Sequence, residues 1–238
     1  MLSSNIKNRP GNTFKALENT LDPNSSVNTY LKCRQNTENI CNYLEIEDYV
    51  VQPSNDVSPP KWHLGHTTWF FEEMILANYL KGYKKYNENF SKLFNSYYKA
   101  AGAHWTQSER GNLSRPTVTE IYDYRCYVDK KMMTLLTTTI NNDDLNLLLT
   151  TGIQHEQQHQ ELLYMDIKAS LSENPCLPIY YKNPLPHSTI NKQKWIPFKK
   201  GIYNIGHDSN GFSYDNEKPQ HKCYIHAFSI SNKTITNG

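Results

Sequence analysis

The sequence predicts a mainly α protein, a four-helix bundle followed by the start of a smaller domain built on strands. Three observations predict it. Four stretches between residues 26 and 171 carry apolar side chains near helical spacing. Breaks rich in Pro, Gly, Asn and Asp separate them. After Ser172 the texture changes to short β-type runs between Gly/Asp/Asn turns.

Residues 1–24 are polar, with Pro10-Gly11 and Asp22-Pro23 as breakers, and read as a loosely docked arm. Val27, Tyr30, Leu31, Ile40 and Leu44 predict a first helix from about Ser26 to Leu44. Pro59-Pro60 suit the first turn of a second, reaching about Leu80. Lys81 to Pro116 is a long connection, and connections of that length are usually functional or disordered. Thr117-x-x-Glu120 spells a capping box for a third helix ending near Thr138. Asn141-Asn142-Asp143-Asp144 then cap a fourth, ending near Leu171. The bundle thus occupies 25–171 and a proline-bearing linker 172–194. Residues 195–238 read as the beginning of a second domain that the chain does not finish, because a stretch of about 44 residues needs outside support.

Formal net charge is +2, and the cations are interspersed with Asp and Glu, so no strong field recruits nucleic acid or an anionic membrane. Lys81, Lys84 and Lys85 form the densest basic cluster and read as a solvated helix end. The five cysteines are odd in number and widely spaced, which suits reduced thiols rather than a disulfide framework. With no apolar run of ~18 residues and no apolar N-terminal segment, the expected setting is the cytoplasm.

The chemistry-bearing stretch is "GIQHEQQHQELLYMDIK", residues Gly152 to Lys168. At 100° per residue, Leu148, His155, His159, Leu162 and Asp166 share an arc that we expect to face the bundle interior. On the second helix Trp62, His66, Phe70 and Glu73 share one arc, with His63 at its edge. A single inward histidine is ordinarily a hydrogen-bonded core residue. An i, i+4 pair facing a third inward histidine favours a metal site. His155-Glu156-x-x-His159 also spells the zinc-protease signature, but Leu162 and Met165 stand where one common form of it continues with Gly and His. Glu156 lies about 100° from His155 and need not face a metal at all.

"SPPKWHLGHTTWFFEEMIL", "LFNSYYKAAG", "RGNLSRPTVTEIYDYR" and "HEQQHQELLYMDIK" resemble, in order and wording, the ergothioneine-biosynthesis sulfoxide synthases (EgtB type). "GIYNIGHDSNGFSYDNEKPQHKCYI" followed by "TNG" looks like the opening of that family's C-terminal domain, and the resemblance spans roughly residues 27–238. It implies a DinB-like four-helix bundle followed by the incomplete N-terminal part of a mixed α/β domain like that of the formylglycine-generating enzymes. It also implies a non-heme Fe(II) held by His66, His155 and His159, with His63 outside the ligand set. The implied reaction joins hercynine (trimethylhistidine) to cysteine or γ-glutamylcysteine with O2, giving a sulfoxide.

Tyr97 and Tyr98 are then candidates for the acid that delivers a proton, against the plain reading that they pack the loop. Arg110 and Arg115 are candidates to clamp a carboxylate of the thiol substrate, or are surface arginines. Asp166 could orient a ligand imidazole or pair with an arginine across the bundle, and Glu156 has the same two readings. Because the chain stops just inside the second domain, a separate chain could supply the remainder. Two other classes stay open: a DinB-like divalent-metal thiol transferase and a non-catalytic truncated remnant.

Overall fold

The structure, a computed structural model, describes residues 25–96, 105–139, 142–182 and 192–235. It divides into two units, Met1–Lys182 and Asn183–Gly238. The division falls inside the expected linker, whose first part belongs to the helical unit: Tyr180 donates its hydroxyl to the Ile40 carbonyl (2.7 Å) and packs edge-on against Tyr43.

Among the described residues of the first unit, four helices exceed ten residues: α1 (Ser26–Ile40), α2 (Pro60–Phe70), α3 (Val118–Thr138) and α4 (Asp143–Ser172). Their starts reflect the local chemistry. The Ser25 hydroxyl accepts from Asn28 N–H, Pro60 occupies the first turn of α2, and Asn142 Oδ1 accepts from Leu145 N–H. Thr117 and Glu120 close the capping box reciprocally: Glu120 N–H donates to Thr117 Oγ1 (3.2 Å), and Thr117 N–H donates to Glu120 Oε2 (2.6 Å).

α1 ends four residues earlier than expected, and a 3₁₀ turn (Cys41–Tyr43) carries the chain on to Leu44. The second helix does not run straight to Leu80. After Phe70 it opens into a π-helical turn, Phe71–Leu76, and closes with a short α-turn, Ala77–Tyr79. The extra residue per turn shifts the later side chains around the helix axis, so Glu72 rather than Glu73 is buried. Glu72 accepts from the hydroxyls of Tyr83 (2.5 Å) and Tyr124 (2.6 Å), whereas Glu73 pairs with Lys85 and Ser91 nearer the surface.

Every residue of α2 is buried, so this helix runs through the middle of the bundle rather than along its face. Trp62, Trp69, Phe71, Tyr30, Tyr124 and Phe94 fill the core around it. Two glycines allow the close approach. A Cβ on Gly65 would lie 2.3 Å from the Phe94 ring, and one on Gly152 would lie 2.6 Å from Phe71. Gly65→Ala is therefore an overpacking substitution, expected to cost about 1–3 kcal/mol. Unchanged thermal melting would show that Phe94 can yield.

The second unit consists of two antiparallel ribbons. β1 (Trp195–Phe198) pairs with β4 (Phe228–Ser231), and β2 (Gly201–Ile205) pairs with β3 (His221–Ile225). Its described residues contain strands and a 3₁₀ turn (Asp215–Glu217) but no α-helix. Trp195, Ile202, Tyr224 and Ile230 remain exposed, as expected where so few residues cannot enclose a core.

Candidate metal centre

His155 and His159 stand one turn apart on α4, and α2 presents His66 toward them. One ring nitrogen from each of the three lies within 4.8 Å of the others. These three histidines are positioned to bind a metal ion. His66 Nε2 and His155 Nε2 are 3.1 Å apart. The His66 ring is stacked between Trp62 and Trp69, with centroids 4.5 and 5.6 Å away, which fixes its plane. Its Nδ1 lies 2.6 Å from the Phe94 carbonyl. A carbonyl only accepts, so Nδ1 carries the proton and Nε2 keeps the lone pair turned toward His155.

His159 is held by a longer chain. His63 Nδ1 lies 2.9 Å from His159 Nδ1, and His63 Nε2 lies 2.8 Å from Asp166 Oδ2. Asp166 Oδ2 also accepts from Ser58 N–H (2.9 Å).

Burial keeps all three candidate ligands neutral. It pushes the His155 imidazole down to about 4 against the opposing pull of the Glu156 carboxylate. Burial first, then the neighbouring imidazoles, hold His66 and His159 well below the ordinary histidine range. Neutral nitrogens are what a metal requires of histidine.

No protein-family model matches this chain, and no curated protein does. What the site can do therefore rests on its own geometry.

The histidine arc of α4 is not the core arc. Leu145, Leu149, Ile153, Glu156, Leu163 and Ile167 form the buried stripe, about 90° around the helix from the arc of His155 and His159. The histidines instead line one wall of a cleft of ≈ 350 Å³ shared with Trp62, His63, Arg110 and Asp166. Leu162, expected inside, is 42% exposed at its rim. The metal would thus sit where substrate can reach it.

Glu156 points the other way. Its carboxylate accepts from Arg34 Nη1 (2.9 Å), Arg125 Nη2 (3.1 Å) and Thr37 Oγ1 (2.7 Å) in the middle of the bundle. Burial would raise this carboxyl, but the two guanidiniums and the Thr37 hydroxyl outweigh it and hold it at about 2. So engaged, it cannot serve as the base of a His-Glu-x-x-His hydrolase, nor does it orient a ligand imidazole.

Arg110 lies on the cleft wall. Its guanidinium carbon is 3.3 Å from the Trp62 ring centroid, Nη1 donates to Ser58 Oγ (2.8 Å) and Nη2 to Ser96 Oγ (3.3 Å). Arg115 is exposed, donates to the Ser114 carbonyl, and does not line the cleft, so the two arginines are not brought together. The exposed connection turns Arg115 outward while Trp62 stacking draws Arg110 in. Tyr97 and Tyr98 lie outside the described residues. Asp166 bonds His63 and Ser58 rather than an arginine or a ligand imidazole. The five cysteines are thiols rather than disulfides, and none of them joins the histidine group. Among the described residues no helix is long and apolar enough to cross a membrane.

Sequence reasoning missed the charged group beneath the site: Arg34, Arg125 and Asp129, with Arg34 Nε donating to Asp129 Oδ1 (2.7 Å). A signal was present. Arg34 lies in helical register with Tyr30 and Thr37 on the buried side of α1, and Arg125 and Asp129 lie four apart on α3.

Proposed function

We propose that this chain is the metal-binding part of a non-heme Fe(II), O2-dependent sulfoxide synthase that joins hercynine to cysteine or γ-glutamylcysteine. One observation carries the reading: three neutral imidazoles converge in a cleft, and among the described residues no carboxylate joins them as a ligand, Asp166 lining the cleft without belonging to the group. That donor set fits a divalent iron and leaves coordination positions open for a thiol and for dioxygen. In this reading the helical unit is DinB-like and the β ribbons open a domain like that of the formylglycine-generating enzymes, as the sequence resemblance implies.

A ferrous ion bound there supplies the redox chemistry with O2, in which an imidazole C–H, a thiol R–SH and O2 give the C–S bond, the sulfoxide oxygen and one water. The chain's own residues do the rest. Trp62 and Trp69 hold the His66 ring between them. Arg110, fixed by Ser58 and Ser96, faces the same cleft and offers its charge to a substrate carboxylate. Arg115 does not line this cleft, and its candidacy rests on the resemblance alone. Tyr97 and Tyr98 stay assigned as proton donors on the resemblance alone, and they come directly after the cleft residue Ser96.

The test is anaerobic reconstitution with Fe(II), then oxygen uptake and mass spectrometry with hercynine and each thiol. One iron per chain and a sulfoxide product are expected. Three histidines also suit zinc with an open fourth position. Zinc retained against excess iron, with no oxygen uptake, would move the assignment to a divalent-metal thiol transferase. A chain that takes up no metal would be a remnant.

A further inference from the structure

We propose that His63, held by Asp166, is a positioning residue that determines which nitrogen of His159 faces the metal. The inference rests on the three-histidine centre but not on the identity of its metal.

The hydrogen-bond partners leave one consistent arrangement for neutral rings. Asp166 Oδ2 already accepts from Ser58 N–H, so it accepts from His63 as well, and His63 carries its proton on Nε2 (2.8 Å). His63 Nδ1 is then an acceptor. His159 Nδ1, 2.9 Å away, must donate to it, which leaves the His159 lone pair on Nε2. An unassisted neutral imidazole in water prefers its proton on Nε2, the arrangement that would block this nitrogen. The chain Asp166–His63–His159 therefore imposes the tautomer that His159 would not choose by itself.

Geometry explains why an imidazole intervenes. Asp166 lies seven residues beyond His159 on α4, a rise of about 10 Å, too far for direct contact. His63 reaches across from α2 and is 3% exposed. The interposed ring keeps the carboxylate charge one residue away from the ligand, so the donor set stays neutral. Asp166 is itself anchored, since Arg110, stacked on Trp62, bonds the hydroxyl of the same Ser58 whose N–H meets Asp166. The His66 tautomer is set separately by the Phe94 carbonyl, so outer contacts set two of the three ligand tautomers.

The experiment has a metal-free arm and a metal arm. In the metal-free chain at pH 8, long-range 1H–15N NMR should find His159 protonated on Nδ1 in wild type. His63→Ala and Asp166→Ala should show mixed or reversed tautomers. Cobalt(II) titration followed by absorbance should show binding about 10- to 100-fold weaker in both variants, with altered ligand-field bands. His63→Gln, whose amide oxygen can accept from His159 Nδ1–H, should recover part of the loss. Asp166, at a half-buried position, gives the variant best suited to keep the fold should His63→Ala fail to do so.

An unchanged His159 tautomer together with cobalt affinity within about twofold of wild type would overturn the proposal. Failure of wild type itself to bind cobalt would overturn the metal centre and this inference with it, and that result is distinct from altered variants of a binding-competent wild type.

Discussion

Glu156→Leu is expected to destabilise the helical unit by about 3–5 kcal/mol, with the melting temperature falling by roughly 10 °C or more. Glu156 is fully buried and is the anion shared by two buried guanidiniums, those of Arg34 and Arg125. Removing it leaves those cations with Asp129 and Glu38, of which Glu38 is pushed toward its neutral form by burial. Glu156→Gln keeps an oxygen for the Thr37 hydroxyl but loses the charge, so an intermediate loss is expected. The pH dependence has a definite sign. The carboxyl's ordinary value is 4.5 and the fold holds it at about 2, so its contribution is fully present above 4.5 and is lost as pH falls toward 2. That window corresponds to on the order of 3 kcal/mol, similar to the mutational figure. A hydrolase of the zinc-protease kind would respond differently, losing activity at Glu156→Gln while keeping its stability. Wild-type melting for Glu156→Leu would refute the structural role.

The contrast between Glu156 and its neighbour shows what the chain makes legible. The helix starts could be read because capping is local: Thr117, Glu120 and Asn142 act on backbone groups three residues away. His66, His155 and His159 could be grouped because two short spacings place them on facing helices, and the structure brings them within ligand distance. The depth of each arc could not be read. The angles place His155 and Glu156 about 100° apart, but which of the two faces the core depends on where Arg34 and Arg125 arrive from α1 and α3. The π-helical turn was hidden for a related reason. "FFEEMIL" is sound helical sequence, and the insertion that buries Glu72 is stabilised by Tyr83 and Tyr124, which are remote along the chain. Arg110 and Arg115 look alike as sequence, yet one is buried against the Trp62 ring with Ser58 and Ser96 as partners and the other is exposed beside the Ser114 carbonyl.

Replacing any one of His66, His155 and His159 by alanine should weaken metal binding by about 300- to 8000-fold, if each of the three ligands carries an even share of a structural site's binding free energy. Metal at a thousandfold excess over its dissociation constant should raise wild-type stability by about 4 kcal/mol, of which the alanine variants should keep no more than about 1 kcal/mol. Metal-induced stabilisation that survives all three substitutions would place the metal elsewhere. The metal-free protein should carry the complementary signature. Burial moves the His155 imidazole from 6.5 to about 4, so between those values the unfolded chain binds a proton that the native state refuses. Stability is then fully present above 6.5 and falls by on the order of 3 kcal/mol as pH drops to 4. His155→Leu should remove its share of that acid sensitivity, leaving the share of His66 and His159, and in chelator its urea midpoint near pH 4.5 should exceed that of wild type. An equally acid-sensitive variant would show that His155 is not buried as a neutral ring. The two effects have one origin, because the desolvation that makes His155 resist a proton leaves its nitrogen open to a metal. A chain selected for fold alone would gain by replacing it with an apolar residue.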